Sequence, residues 1–193
     1  SAGGQNSPLS PGGAIAIVTN TPAFASADAR LGSAVHQSAF AGSQIKVEVD
    51  NGGNFLIDAY ASANGTTAAD ASARIRDYGI LQSVHEANYA TASIYNTGAL
   101  TIAGTAHAYA SDGQARARAK LVSNSLPLPA GIVQTGGSAA HVAEVINNHA
   151  GDTITLAMNA DAVGNTATAH ATLTNGIVQF GIDAGSIDQG VSN

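Results

Sequence analysis

Residues 101–110 read TIAGTAHAYA, residues 111–114 read SDGQ, and residues 115–122 read ARARAKLV. Ala106, Ala108 and Ala110 fall on one side of a two-residue alternation, and Thr105, His107 and Tyr109 on the other. Beyond SDGQ, Ala115, Ala117, Ala119 and Leu121 alternate with Arg116, Arg118 and Lys120. Period two marks a strand with one buried face. Ala is a strong helix former, but apolar residues at i, i+2 and i+4 wrap around a helix and make no stripe. The segment is therefore two strands around a turn, with Ala facing the core.

The layout recurs. FLIDAYASA, NGTT and AADASARIR fill residues 55–76, and TITLAMNADA, VGNT and ATAHATLT fill residues 153–174. Each pair of arms is followed by a Gly-Ile element: YGILQSV at 78–84, AGIVQTG at 130–136 and NGIVQFG at 175–181. Next comes a fourth strand ending in Asn, in ANYATASIYNTG (87–98) and HVAEVINN (141–148), with a counterpart in AFAGSQIKVEVDNGG (39–53). Self-similarity at about fifty residues signals a repeat architecture. The units fall roughly at 23–54, 55–100, 101–152 and 153–193, in one all-β domain over 14–193. The chain is expected to enter and leave out of phase with them.

The expected fold is an Ala-rich β-solenoid or stacked β-sheet. The alternative is an antiparallel β-sandwich of hairpins, because Asn64-Gly65 and Asp112-Gly113 are hairpin-turn signals and parallel strands need long crossovers. SLPLPAG (125–131) has two prolines, which exclude a central strand; it reads as a corner loop inserted without a change of register. Residues 1–13 read as a flexible leader and as a mature N-terminus, with no export signal in SAGGQNSPLSPGG.

Composition narrows the function. Of 193 residues 40 are Ala, none is Trp, and aromatics are 5%, so the core is thin. Charged residues are 10%, against roughly 25% in typical soluble domains. Seven Lys and Arg in a chain of net charge -6 argue against a nucleic-acid partner. No apolar run is long enough for a membrane-spanning helix. The absence of Cys suits a secreted protein of a bacterial surface.

The run Ile94-Tyr-Asn96-Thr-Gly98-Ala-Leu100-Thr-Ile102-Ala103, with Ala-x-Ala arms and Gly-Ile-x-Gln after it, resembles the strand-repeat regions of large bacterial surface proteins. These are the filamentous-haemagglutinin-like and autotransporter-like adhesins. The resemblance covers most of residues 14–181. It implies an exported, extended, structural β-solenoid and brings no catalytic residues with it.

His36, His85 and His141 recur in VHQSA, VHEAN and AHVAE; stacked, they would make a metal ladder, but zinc ligands usually sit at tight spacing. The simpler reading is a surface or corner position copied with the repeat. Asp58, Asp70, Asp152 and Asp161 alternate with Ala, and nothing in their spacing selects a catalytic pair. There is no nucleophile elbow and no P-loop. No enzyme, cofactor or metal is expected. Tyr109, Arg116, Arg118 and Lys120 form a candidate ligand stripe for an acidic or sulfated glycan; the simpler reading is edge protection by charge. Ile15, Ile17, Ile177, Phe180 and Ile182 lie on the candidate assembly strands.

The function expected is an extracellular structural protein, self-associating head-to-tail into a filament or forming part of an adhesin. Its partners would be copies of itself and surface glycans. The alternatives are a glycan-binding surface module and a polysaccharide-acting β-helix enzyme.

Overall fold

A computed structural model describes residues 12–21, 23–122 and 130–193. Fourteen strands fall into three sheets. The first sheet takes β1 (Gly12–Thr21), β4 (Asn54–Gly65), β7 (Ala99–Ala110) and β11 (Thr153–Val163). The second takes β2 (Phe24–Leu31), β5 (Ala68–Arg76), β8 (Gln114–Val122) and β12 (Thr166–Leu173). The third takes β3 (Val35–Asn51), β6 (Tyr78–Asn96), β9 (Ala130–Gly137) with β10 (His141–Asn148), and β13 (Ile177–Ile182) with β14 (Ser186–Ser192). The chain visits the sheets in that order four times. All the described pairings are parallel. The described residues form a parallel β-helix of four coils.

The antiparallel sandwich is therefore not the fold. The arms around NGTT and SDGQ do not pair with each other: β4 pairs with β7, and β5 with β8. The Asn-Gly and Asp-Gly signals are corners between sheets. Hairpin turns of that sequence need positive φ, and among the described glycines only Gly151 has it. Gly113 serves a different need: a Cβ there would lie 1.6 Å from the Thr67 carbonyl oxygen of the coil below. Close approach of corner to corner demands the glycine.

Register puts like on like. Ala61 pairs with Ala106 and Ala106 with Ala160; Ala71 pairs with Ala117 and Ala117 with Ala169. The inward Ala columns of the first and second sheets form one core with Ile57, Ile75, Ile80, Ile94, Leu100, Ile102, Leu121 and Ile132. Ala108 and Ala117 are buried. Ala160 is half-buried and Ala169 exposed, because among the described residues no further coil covers the fourth. Arg116, Arg118 and His170 project outward, opposite the Ala positions of β8 and β12.

The third sheet is bent. Each of its strands has two limbs joined at a positive-φ residue: Ala41, Glu86, Ser138 and Asp183. The Gly-Ile element is the first limb and the Asn-ending strand the second, so the four strands counted per unit occupy three sheets. The described residues are also in phase with the coils. They run from a first-sheet strand to a third-sheet limb, and GIVQFG opens the third side of coil four. The longer third coil gains its residues between Arg76↔Val122 and Tyr78↔Ala130, with register kept on either side. Most of SLPLPAG lies there, at 123–129, outside the described residues. So do residues 1–11 of the expected leader, whereas Gly12 and Gly13 already belong to β1.

Ala117→Leu should overpack the middle of the stack and cost about 1–3 kcal/mol, read as a lower denaturation midpoint. Ala169→Leu, on the uncovered coil, should change stability far less.

Candidate functional site

Two columns of amides run through the interior. Gln37, Gln82, Gln134 and Gln179 share one register position on the first limbs. Gln82 Nε2 donates to Gln37 Oε1, Gln134 Nε2 to Gln82 Oε1, and Gln179 Nε2 to Gln134 Oε1, each at 2.8 Å. Each Gln also donates across the bend to a second-limb carbonyl eleven residues on: Glu48, Ser93, Val145 and Gly190. Gln82 and Gln134 are fully buried. This is why GIVQ is spelled twice: Ile132 and Ile177 fill the core, and Gln134 and Gln179 tie the two limbs together.

The second column closes each coil. Asn51 Nδ2 donates to Asn96 Oδ1 at 2.6 Å, Asn96 Nδ2 to Asn148 Oδ1 at 2.5 Å, and Asn148 Nδ2 to Asn193 Oδ1 at 2.5 Å. The same amides donate to the carbonyls of Ala99, Thr153 and Asp152, where the chain enters the next first-sheet strand. The Gln column donates toward the first coil and the Asn column toward the fourth.

Glu144 stands at an inward position of β10, in register with Ala92 and Gln189. It is 0% exposed, and its Oε1 has no partner of hydrogen-bond geometry. Burial pushes its carboxyl from the ordinary 4.5 up to about 7; the Gln189 amide and the N–H groups of Phe180 and Gly136 pull the other way without offsetting it. Space for it comes from Gly136, where a Cβ would meet Glu144 Oε1 at 3.3 Å. In the coil before, the same two positions hold Val84 and Ala92.

The three recurring histidines do not meet. His36 pairs with Leu81, His85 with Phe40 and Gly137, and His141 with Tyr89 and Ser186. They are not one copied position: the matching pentapeptides sit at different points of the bent strand. His85 stacks on Phe40 with ring centroids 5.6 Å apart, and His141 meets Tyr89 edge-on at 5.8 Å. Among the described residues no three His, Asp or Glu side chains converge as metal ligands would. His107 lies outside the first sheet, 3.7 Å from Asp161. Asp70 is on the second sheet, Asp58 on the first and Asp152 at a corner, so these carboxylates share no cleft.

The glycan stripe divides. Arg116, Arg118 and Lys120 lie together outside the second sheet, whereas Tyr109 is outside the first. Edge protection loses its basis, because β8 is an inner strand between β5 and β12. Of the assembly residues, Ile15 and Ile17 are on the edge strand β1 but point outward beside Tyr60 and Ser62, and are exposed. Ala14, Ala16 and Val18 pack on the core instead. Ile177 packs inward on β13 at the opposite end, and Phe180 and Ile182 are exposed there.

In comparisons with known proteins, no family model, no curated protein and no solved structure matches this chain.

Gln134→Leu should strip Gln82 Oε1 of its donor and leave the carbonyls of Ala92 and Val145 short of one. Buried unsatisfied groups of this kind cost about 1–3 kcal/mol each, so chemical unfolding should show a loss in that range, larger than for Gln37→Leu at the end of the column. Glu144 gives a pH signature. Its folded pKa lies above the unfolded value, so the folded state holds more protons between them and stability falls as pH rises from about 4.5 through about 7. Melting temperatures measured from pH 5 to pH 8 should decline, and Glu144→Gln should flatten the decline and melt higher at pH 8.

Proposed function

We propose that this protein is an extracellular structural element of a bacterial surface, whose coils continue by head-to-tail addition of further copies. The single observation that carries the reading is the polarity of the two amide columns. The Gln column ends with Gln179, whose Oε1 is the acceptor that the next coil's amide would take; Gln37 Nε2 is the matching donor on the first coil. The Asn column ends with Asn193, whose Nδ2 matches Asn51 Oδ1. Both columns are continued by the same head-to-tail operation. Head-to-head contact would set donor against donor or acceptor against acceptor.

Strand edges support the same geometry. Among the described residues β11 has a partner on one side only, as do β1, β2 and β12. Such edges are templates for strand addition. A second copy offers β1 to β11, β2 to β12, and the limbs of β3 to β13 and β14. The surfaces brought together carry Ile154, Leu156 and Met158 on one end and Ala14, Ala16 and Val18 on the other, all packed against the present core. A contact between unlike ends that does not close on itself gives an open filament. The low charge, the absence of Cys and the resemblance to adhesin repeats support an exported, mechanical role.

Sedimentation and negative-stain microscopy test this. The chain should form rods with a repeat of about 19 Å per copy, four strand spacings of about 4.8 Å. Met158→Lys, on the open coil, should abolish rods while leaving the melting temperature within a few degrees. A chain that remains monomeric at high concentration, or rods that survive both Met158→Lys and deletion of residues 12–21, would overturn the reading.

A further inference from the structure

The charges of this acidic protein are sorted by face. Arg30 on β2, Arg74 and Arg76 on β5, and Arg116, Arg118 and Lys120 on β8 all project from the outer side of the second sheet. They are six of the seven Lys and Arg residues in the chain. Only Asp28 and Asp70, of thirteen acidic residues, share that side. The seventh cation, Lys46, is on the third sheet and is paired with Glu48. A face with net charge of about +4 therefore lies on a chain of net charge -6, and the rest of the chain taken together carries about -10.

Local pairing leaves most of this charge free. Arg30 donates from Nε to Asp28 Oδ2 at 2.8 Å, holding that carboxyl below its usual range, and Arg118 lies 3.7 Å from Asp70. Arg74 donates to the Ser72 hydroxyl at 2.8 Å. Among the described residues no carboxylate lies within ion-pair distance of Arg74, Arg76, Arg116 or Lys120. Arg30, Arg74 and Lys120 are directly opposed across three neighbouring strands. Like charges opposed in this way destabilise a sheet. Folding does not require them: the same column continues in β12 as Thr172, and the Arg116 and Arg118 columns continue as Thr168 and His170.

We propose that the outer face of the second sheet binds an acidic polysaccharide lying along the helix axis. The cations repeat at strand spacing, about 4.8 Å, which suits a linear polymer with charge on successive residues better than one compact anion. Hydroxyls are interleaved with them at Ser26, Thr168 and Thr172, and these pair with sugar hydroxyls, carboxylates or sulfates alike. Single-stranded nucleic acid is the less apt ligand, because its binding relies on aromatic stacking. The chain has no Trp, its five Tyr stand on the other two sheets, and only Phe24 borders this face. The acidic remainder of the surface would repel a polyanion from any other side. None of this depends on how the coil ends are covered.

The test is binding of heparin, as a sulfated probe, and polygalacturonate, as a carboxylated one, at low salt by calorimetry or surface immobilisation. At least one should bind, and binding should vanish near 0.5 M salt, where the screening length is about 4 Å. The combined substitutions Arg116→Thr and Lys120→Thr, which copy the next coil, should weaken binding on the order of tenfold or more. Lys46→Thr removes one positive charge elsewhere and should leave it unchanged. Should the double variant fold poorly, Arg74→Gln alone is expected to weaken binding in the same direction. No binding of either probe, equal loss with Lys46→Thr, or tighter binding of an oligothymidylate than of both polysaccharides would overturn the proposal.

Discussion

The parallel ladder between coils is the constraint on which the rest depends. It sets each strand about 4.8 Å from the one below and, with register held, places each side chain over its counterpart. Every residue type then faces its neighbours in a column. For Ala the result is close, gap-free packing. For Gln and Asn it is a chain of hydrogen bonds in which one amide donates and the next accepts. For Arg it is repulsion, and for a lone carboxylate such as Glu144 it is burial with one of its two oxygens left without a partner.

That rule explains what the sequence disclosed. The alternation of Ala106, Ala108 and Ala110 with His107 and Tyr109 was legible because one face of the strand is buried. The repeat was legible because stacking demands similar residues once per coil. The choice between parallel coils and hairpins was not legible, since Asn64-Gly65 and Asp112-Gly113 satisfy either one locally; only contact between coils, such as Gly113 against Thr67, separates them. The inward amides were missed for a related reason. Gln134 and Asn148 are polar and read as exposed by composition, and they are buried because their partners lie 45 to 52 residues away. Placing Val47, Ala92, Glu144 and Gln189 in one column would have exposed Glu144 as the odd member. The histidines misled because short strings were matched without the coil register.

Glu144 also shows how the stack tolerates exceptions. Where a column gains a large side chain, the facing limb yields volume: Val84 with Ala92 becomes Gly136 with Glu144. Such exchange preserves the ladder while changing what fills the bend. The third coil is likewise longer than the second between Val122 and Ala130, and the register of the strands on either side is kept.

The opposed directions of the Gln and Asn columns have an electrostatic consequence. An α-helix aligns all its peptide dipoles and so carries partial charges at its ends. Here one row of side-chain amides points along the axis and the other points back, so their moments oppose. Lengthening the stack by a coil adds a matched pair of antiparallel dipoles and no net axial moment from these rows. A long assembly thus keeps the end potential of a short one, and its field is set by the charges painted along its sides.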